Sequence, residues 1–244
     1  MRLCIFDLDH TLVSSPLDLA AMALDMRACL ERSLGPLPAR SERYRVFELI
    51  SHCQREAPAL EAELWGIALG HERRAVEAAW LEPGAAVAIQ GARSAGFGTA
   101  VWTNNAREVA TLVLGRFDLL PHLDLVVTRD ETRALKPDPD GWRVIGERLG
   151  DVRDAVVVGD SWVDGLAAAA VGIPFVAYRP RAAELTRWGV KPVATLANLD
   201  ELPAWLAAWS PDSEPVNESA CRAGPGFTPG PANAGGLGVR SGPP

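Results

Sequence analysis

Short apolar runs, each ending in a cluster of polar residues, recur along this chain and constrain its fold more than any other feature. Residues 2–6 (RLCIF) lead into DLDHT, 99–102 into TNN, 125–127 into TRD, 155–158 into GDS and 174–178 into RPR. Runs of this length bounded by polar residues read as strands buried on both faces, and the helix-like sequence between them points to a parallel, doubly wound α/β sheet of Rossmann-like form. Ligands of such sheets sit beyond the carboxyl ends of the strands. The polar clusters fall at that edge.

The spacing of the clusters predicts an insertion. Asp7 and Thr103 stand 96 residues apart, whereas one βα unit leading to the next strand needs about 30. The surplus, placed at 15–80, reads as a small all-helical cap inserted after the first strand. Its first helix is expected from Ser15, with Pro16 in the first turn and Leu17, Ala20, Ala21, Leu24 and Ala28 at helical spacing, ending at Gly35 and Pro36. Further helices are expected over 41–57 and 59–80, with hinges at 12–16 and 80–84. Thr103 and Lys136 are only 33 residues apart, which leaves room for one helix and one strand. The core is thus expected at 1–14 and 81–209.

Residues 210–244 hold seven prolines and seven glycines and no apolar periodicity. They read as a disordered tail that cannot bury enough surface to offset its ordering entropy.

Composition excludes several classes. A net charge of −7 without a basic stripe disfavours a nucleic acid polymer as partner. The first apolar run carries Asp7 and Asp9, so it reads as neither a secretory signal nor a membrane span, and a cytoplasmic location is expected. Cys4, Cys29, Cys53 and Cys221 have no CxxC or zinc-ligand spacing and read as reduced, mostly buried residues.

The strand ends carry the chemistry. Asp7 and Asp9 lie two apart, so both carboxylates point the same way, and Thr11 continues that face. Asn105 with Glu108 three residues on reads as a helix N-cap. Ser161 with Asp164 reads as a capping box for a following alanine-rich helix. His10 reads as a spacer pointing away from the site, and Trp102 and Trp162 as core or pocket wall.

DLDHT at 7–11, VWTNN at 101–105, LKPDP at 135–139 and GDSWVD at 159–164 stand in the order of the haloacid dehalogenase-like hydrolases. Over about residues 1–209 the chain resembles that family, with the insertion in the position of the cap of its phosphoglycolate phosphatase-like members. The resemblance implies a Mg²⁺-dependent phosphatase acting on a small phosphorylated metabolite through an aspartyl-phosphate on Asp7, with Asp9 as general acid and then base. It further implies that Thr103, Asn104 and Lys136 meet the phosphate. The metal would be held by Asp7, Asp9 through its carbonyl, and Asp160, with Asp164 in support.

A dehalogenase has no use for the second carboxylate, so Asp9 argues against that activity. A phosphomutase or phosphotransferase on the same core, and a non-catalytic Mg²⁺- or phosphate-binding module, remain as alternatives. No membrane partner is expected, and the assembly is expected to be a monomer or homodimer. Among the cap arginines, Arg40, Arg43, Arg45, Arg55, Arg73 and Arg74 are candidates for a substrate carboxylate or phosphate.

Overall fold

The computed structural model describes residues 1–210. Six strands form one parallel sheet: β1 (Arg2–Phe6), β4 (Phe97–Trp102), β5 (Leu125–Val127), β6 (Asp154–Gly159), β7 (Phe175–Tyr178) and β8 (Ala194–Leu196). A separate two-stranded antiparallel ribbon pairs β2 (Val13–Ser14) with β3 (Trp80–Leu81). The sheet order is β5-β4-β1-β6-β7-β8. Phe6 sits in register with Val101 on one side and Val158 on the other. The chain runs outward from β1 to β5 and then returns to β6 on the opposite side. The strand order therefore reverses at β1, the position at which such sheets open a crevice for ligands.

The central strands are apolar throughout because both faces are covered. Cys4, Phe6, Val101, Val156 and Val158 pack into one core cluster, while Leu3, Ile5, Ala100, Ala155 and Val157 pack into the other. The first cluster is closed by helices α4 (Ala85–Ser94), α5 (Arg107–Arg116) and α9 (Leu202–Ala208), through Ile89, Val109, Leu114 and Leu206. The second is closed by α6 (Asp140–Leu149), α7 (Trp162–Ala169) and α8 (Ala182–Arg187), through Ile145, Ala167 and Leu185. The strands expected from sequence all form. β7 begins at Phe175 rather than Pro174, which lacks an amide to donate. The sequence reading stops at the fifth strand, and β8 extends the sheet beyond it.

Between β2 and β3 lie α1 (Leu19–Leu34), α2 (Val46–Glu56) and α3 (Glu61–Val76), which share an apolar cluster of their own that includes Met22, Met26, Leu30, Leu49 and Leu64. This segment corrects the sequence reading in four places. α1 starts at Leu19, not Ser15, because Asp18 is the cap: its Oδ1 accepts the amides of Ala20 and Ala21 at 2.8 and 3.0 Å. Leu24 is 62% exposed, and Met22, Ala23, Met26, Cys29 and Leu30 form the buried face instead. The helix carries two apolar stripes, and the long methionines, which reach across to α2 and α3, decide which one is covered.

α2 starts at Val46, where Glu48 Oε2 accepts the Arg45 amide at 2.6 Å. The helical pattern read to residue 80 ends at Val76, since Trp80 and Leu81 pair with Ser14 and Val13. The two expected hinges are thus tied to each other as a ribbon.

Cys4, Cys29 and Cys53 are free and buried. Cys221 and the proline- and glycine-rich segment read as disordered lie, apart from Ser210, outside the described residues. No helix among the described residues is long and apolar enough to cross a membrane.

Under the ribbon, Glu82 is buried and accepts hydrogen bonds from Ser14 Oγ at 2.5 Å and Tyr178 Oη at 2.9 Å. Removing the carboxylate leaves two buried hydroxyls without that acceptor, each costing roughly 1–3 kcal/mol. Glu82→Ala is expected to lower the unfolding free energy by about 2–4 kcal/mol, read as a shift of the urea midpoint at unchanged slope.

Candidate active site

β1 delivers Asp7 to the reversal point while still paired, its amide donating to Val158 O at 2.8 Å. Beyond it Leu8 O accepts the amides of Leu12 and Val13 at 2.9 and 3.0 Å, with His10 in the left-handed region at φ 56°. This tight turn lifts Asp9 beside Asp7 and leads directly into β2. Asp9 Oδ2 accepts Asn105 Nδ2 at 2.7 Å. Thr11 Oγ1 is buried without a hydrogen-bond partner, and His10 Nδ1 lies 3.1 Å from Ser14 Oγ.

Lys136 arrives from the loop between β5 and α6. Its buried ammonium donates to Asp7 Oδ1 at 2.6 Å, Asp164 Oδ1 at 2.6 Å and Trp102 O at 2.8 Å. Asn104 fixes the loop: its Oδ1 accepts the Lys136 amide at 2.8 Å and its Nδ2 donates to Lys136 O at 3.1 Å. Asp164 is held from the other side, its Oδ2 accepting Ser161 Oγ at 2.7 Å and Ser161 N at 3.2 Å. The capping box read from sequence therefore forms, and the free oxygen of its aspartate meets Lys136. Oxygens of Asp7, Asp160 and Asp164 lie within 4.8 Å of one another.

The electrostatics follow from four carboxylates around one ammonium. Burial, then the Asp164 charge, push Asp7 up to about 7 against the pull of Lys136. Burial, then the Glu72 charge, push Asp9 up to about 6 against the Asn105 hydrogen bond. Burial, then Asp164 and Asp7, raise Asp160 well above the usual carboxylate range. Burial opposes the charge on Lys136, but Asp164 and Asp7 more than offset it and hold the ammonium protonated. A cavity of about 970 Å³ opens over this cluster, lined also by Arg45, Trp65, Glu72, Arg129 and Trp162.

A family model described as haloacid dehalogenase-like hydrolase matches residues 1–172. The chain belongs to the haloacid dehalogenase-like hydrolase family. It is similar to a phosphoglycolate phosphatase of Rhodobacter capsulatus, 26% identical over 218 residues that cover 84% of this chain and 97% of that one. It is also similar to a phosphoglycolate phosphatase of Caulobacter vibrioides, 34% identical over 187 residues that cover 70% and 76% of the two chains. A crystallographic hydrolase from Pseudomonas syringae shares the fold, with TM-score 0.63 and 22% identity over 86% of this chain and 100% of that one. As a haloacid dehalogenase-like enzyme, the protein is a hydrolase of the class acting on phosphoric monoesters.

For this family member the donor set suits a hard divalent cation. The clustered groups are all carboxylate oxygens, and their negative charge exceeds what Lys136 can neutralise, which the raised pKa values of Asp7 and Asp160 express. Mg²⁺ fits these residues.

The structure brings Asp7, Asp9, Asn104, Lys136, Asp160 and Asp164 to one cavity wall. Thr103 lies just behind it, 1% exposed, its Oγ1 accepting the Asn105 amide at 3.1 Å. Asn105 does not cap α5. Ala106 is the cap residue and its methyl offers no acceptor for a cap bond, while the Asn105 side chain is drawn to Asp9 and Glu108 is paired with Arg73.

Of the six arginines singled out, Arg43 and Arg45 line the cavity, while Arg40 and Arg73 pair with Glu48 and Glu108. Glu72 and Arg129, a buried pair in the cavity wall, escape sequence reasoning. TRD at 128–130 reads only as a strand end, and Glu72 only as one charge in a helix.

Gly159 marks how tightly Asp164 is held. A Cβ there would stand 2.6 Å from Asp164 Oδ2. Gly159→Ala is expected to displace that carboxylate and cut kcat by about a hundredfold while the far-UV circular dichroism keeps its native shape.

Proposed function

We propose that the protein is a Mg²⁺-dependent phosphatase for a small soluble phosphomonoester, working through an aspartyl-phosphate on Asp7. The observation that carries this reading is the Asp7 carboxylate at the end of β1, 2.6 Å from the Lys136 ammonium and clustered with Asp160 and Asp164. Asp7 attacks phosphorus, forming the acyl-phosphate as the bond to the leaving oxygen breaks. Asp9 gives its proton to that oxygen; its Oδ2 is engaged by Asn105, which leaves Oδ1 to carry the proton. A value near 6 keeps the acid form accessible close to neutral pH. The same carboxylate then takes a proton from the water that attacks phosphorus and releases phosphate and free Asp7.

Lys136 orients Asp7 and offsets charge on the transferring group. The Asn104 backbone at the cavity wall serves the phosphate oxygens, with the Thr103 hydroxyl directly behind it holding the Asn105 amide. Mg²⁺ would be held by Asp7, Asp160 and the Asp9 carbonyl with Asp164 in support, and when bound it supplies positive charge against the phosphoryl group. In this reading residues 15–80 act as a cap that excludes bulk water, and the protein works in the cytoplasm as a monomer or homodimer.

The relatives and the cavity together support the proposed substrate class. Phosphoglycolate is the substrate named for the relatives, while the cavity of about 970 Å³ has room for larger esters. The test is phosphate release from a panel running from phosphoglycolate to sugar and nucleoside monophosphates, with Mg²⁺ and after chelation. Metal-dependent turnover in the wild type and a loss of at least about a thousandfold in Asp7→Asn are expected. No release from any ester, with Asp7 still labelled by an acyl phosphate donor, would instead mark a phosphotransferase. Neither signal would leave a binding module.

A further inference from the structure

Glu72 is the odd residue of α3. The helix packs Leu64 and Ala68 into the insertion's own apolar cluster, yet Glu72 is 4% exposed and turned toward the sheet. Both of its oxygens are engaged by the α/β core. Oε1 accepts Arg129 Nη1, and Oε2 accepts the Ala106 amide at 3.3 Å. Arg129, itself 8% exposed, is covered by the Trp65 ring, also of α3, at 4.9 Å.

These bonds converge on one turn. Arg129 Nη1 reaches Asn104 O at 3.4 Å, and the Arg129 amide donates to Asn105 O at 3.2 Å. Three of the four residues between β4 and α5, Asn104, Asn105 and Ala106, are therefore tied to Glu72 directly or through Arg129. Asn105 is the residue whose amide holds Asp9.

We propose that Glu72 is a positioning residue, through which the seating of the helical insertion on the core sets Asn105 and, through it, the Asp9 carboxylate. Both Glu72 oxygens are spent on protein donors, so it touches no reacting atom itself, and apart from these bonds it reaches Asp9 only through its charge. A carboxylate in this place suits the task. It is buried only while Arg129 and the Ala106 amide partner it, because an unpartnered charge in the cavity wall is costly. The catalytic turn is then complete only when α3 is in place.

The inference rests on the role proposed for Asp9, and the experiment keeps the two apart. Steady-state kinetics on the ester turned over best, in Mg²⁺, are compared for wild type, Asp9→Asn, Glu72→Ala, Asn105→Ala and the Glu72→Ala/Asn105→Ala double variant. Glu72→Ala is expected to lower kcat by about tenfold or more, with KM changed less than about threefold. The double variant is expected to match Asn105→Ala within about twofold, because residues acting through one another are not additive.

Two independent losses that multiply, or wild-type kcat in a folded Glu72→Ala, would overturn the positioning role. Full turnover in Asp9→Asn would overturn the proposed mechanism instead. Should Glu72→Ala fail to fold, Glu72→Gln, which keeps the shape and one acceptor, enters the same cycle with the same two outcomes.

Discussion

The contact on which the rest of this structure depends is the buried ammonium of Lys136 between Asp7 and Asp164. It joins three strand ends that are far apart in sequence: the end of β1, the loop after β5 and the start of α7 behind β6. Without a fixed cation, packing four carboxylates at the mouth of a parallel sheet would be opposed by both desolvation and mutual repulsion. Breaking one partner out of such a buried pair costs about 3–5 kcal/mol, so the site and the junction of the two halves of the sheet are held by the same bonds. The backbone of Lys136 is gripped by Asn104 for the same reason: a cation that neutralises carboxylates in a crevice must be placed, not merely present.

One ammonium does not balance the cluster, and this imbalance gives the site its character. Asp7 and Asp160 both stand above their ordinary values because they are buried and because negative charge is in excess, a condition that a divalent cation would relieve. Asp9 is separated from its neighbour by partner as well as position. Asp7 faces an ammonium, whereas Asp9 faces a neutral amide and the Glu72 charge. Two carboxylates two residues apart are thereby given different environments, and both are raised toward neutral pH by burial and by different neighbouring charges.

Much of this was legible in the sequence. The five strand ends, the helical surplus between Asp7 and Thr103 and the acidic residues that meet in the crevice follow from run length, spacing and residue type. Local competition was less legible. Asp18 rather than Ser15 caps α1, because its Oδ1 accepts the amides of both Ala20 and Ala21. Asn105 has the spacing of a cap, but α5 begins one residue later with Ala106 as its cap, and the Asn105 Nδ2 donates to the Asp9 carboxylate brought in from a distant strand end.

Sequence by itself determined the sheet, the order of its polar edges and the set of groups available there, because apolar periodicity and chain length fix which segments can be buried. Only the tertiary structure decided what faces what. It chose the methionine stripe of α1 over the leucine and alanine stripe, paired Trp80 with Ser14 in a ribbon, and drove Glu72 of an insertion helix against Arg129 of the core. The last two pairings join residues 57 or more positions apart. No local pattern encodes them, because each is settled by the burial cost of leaving its partner unmatched.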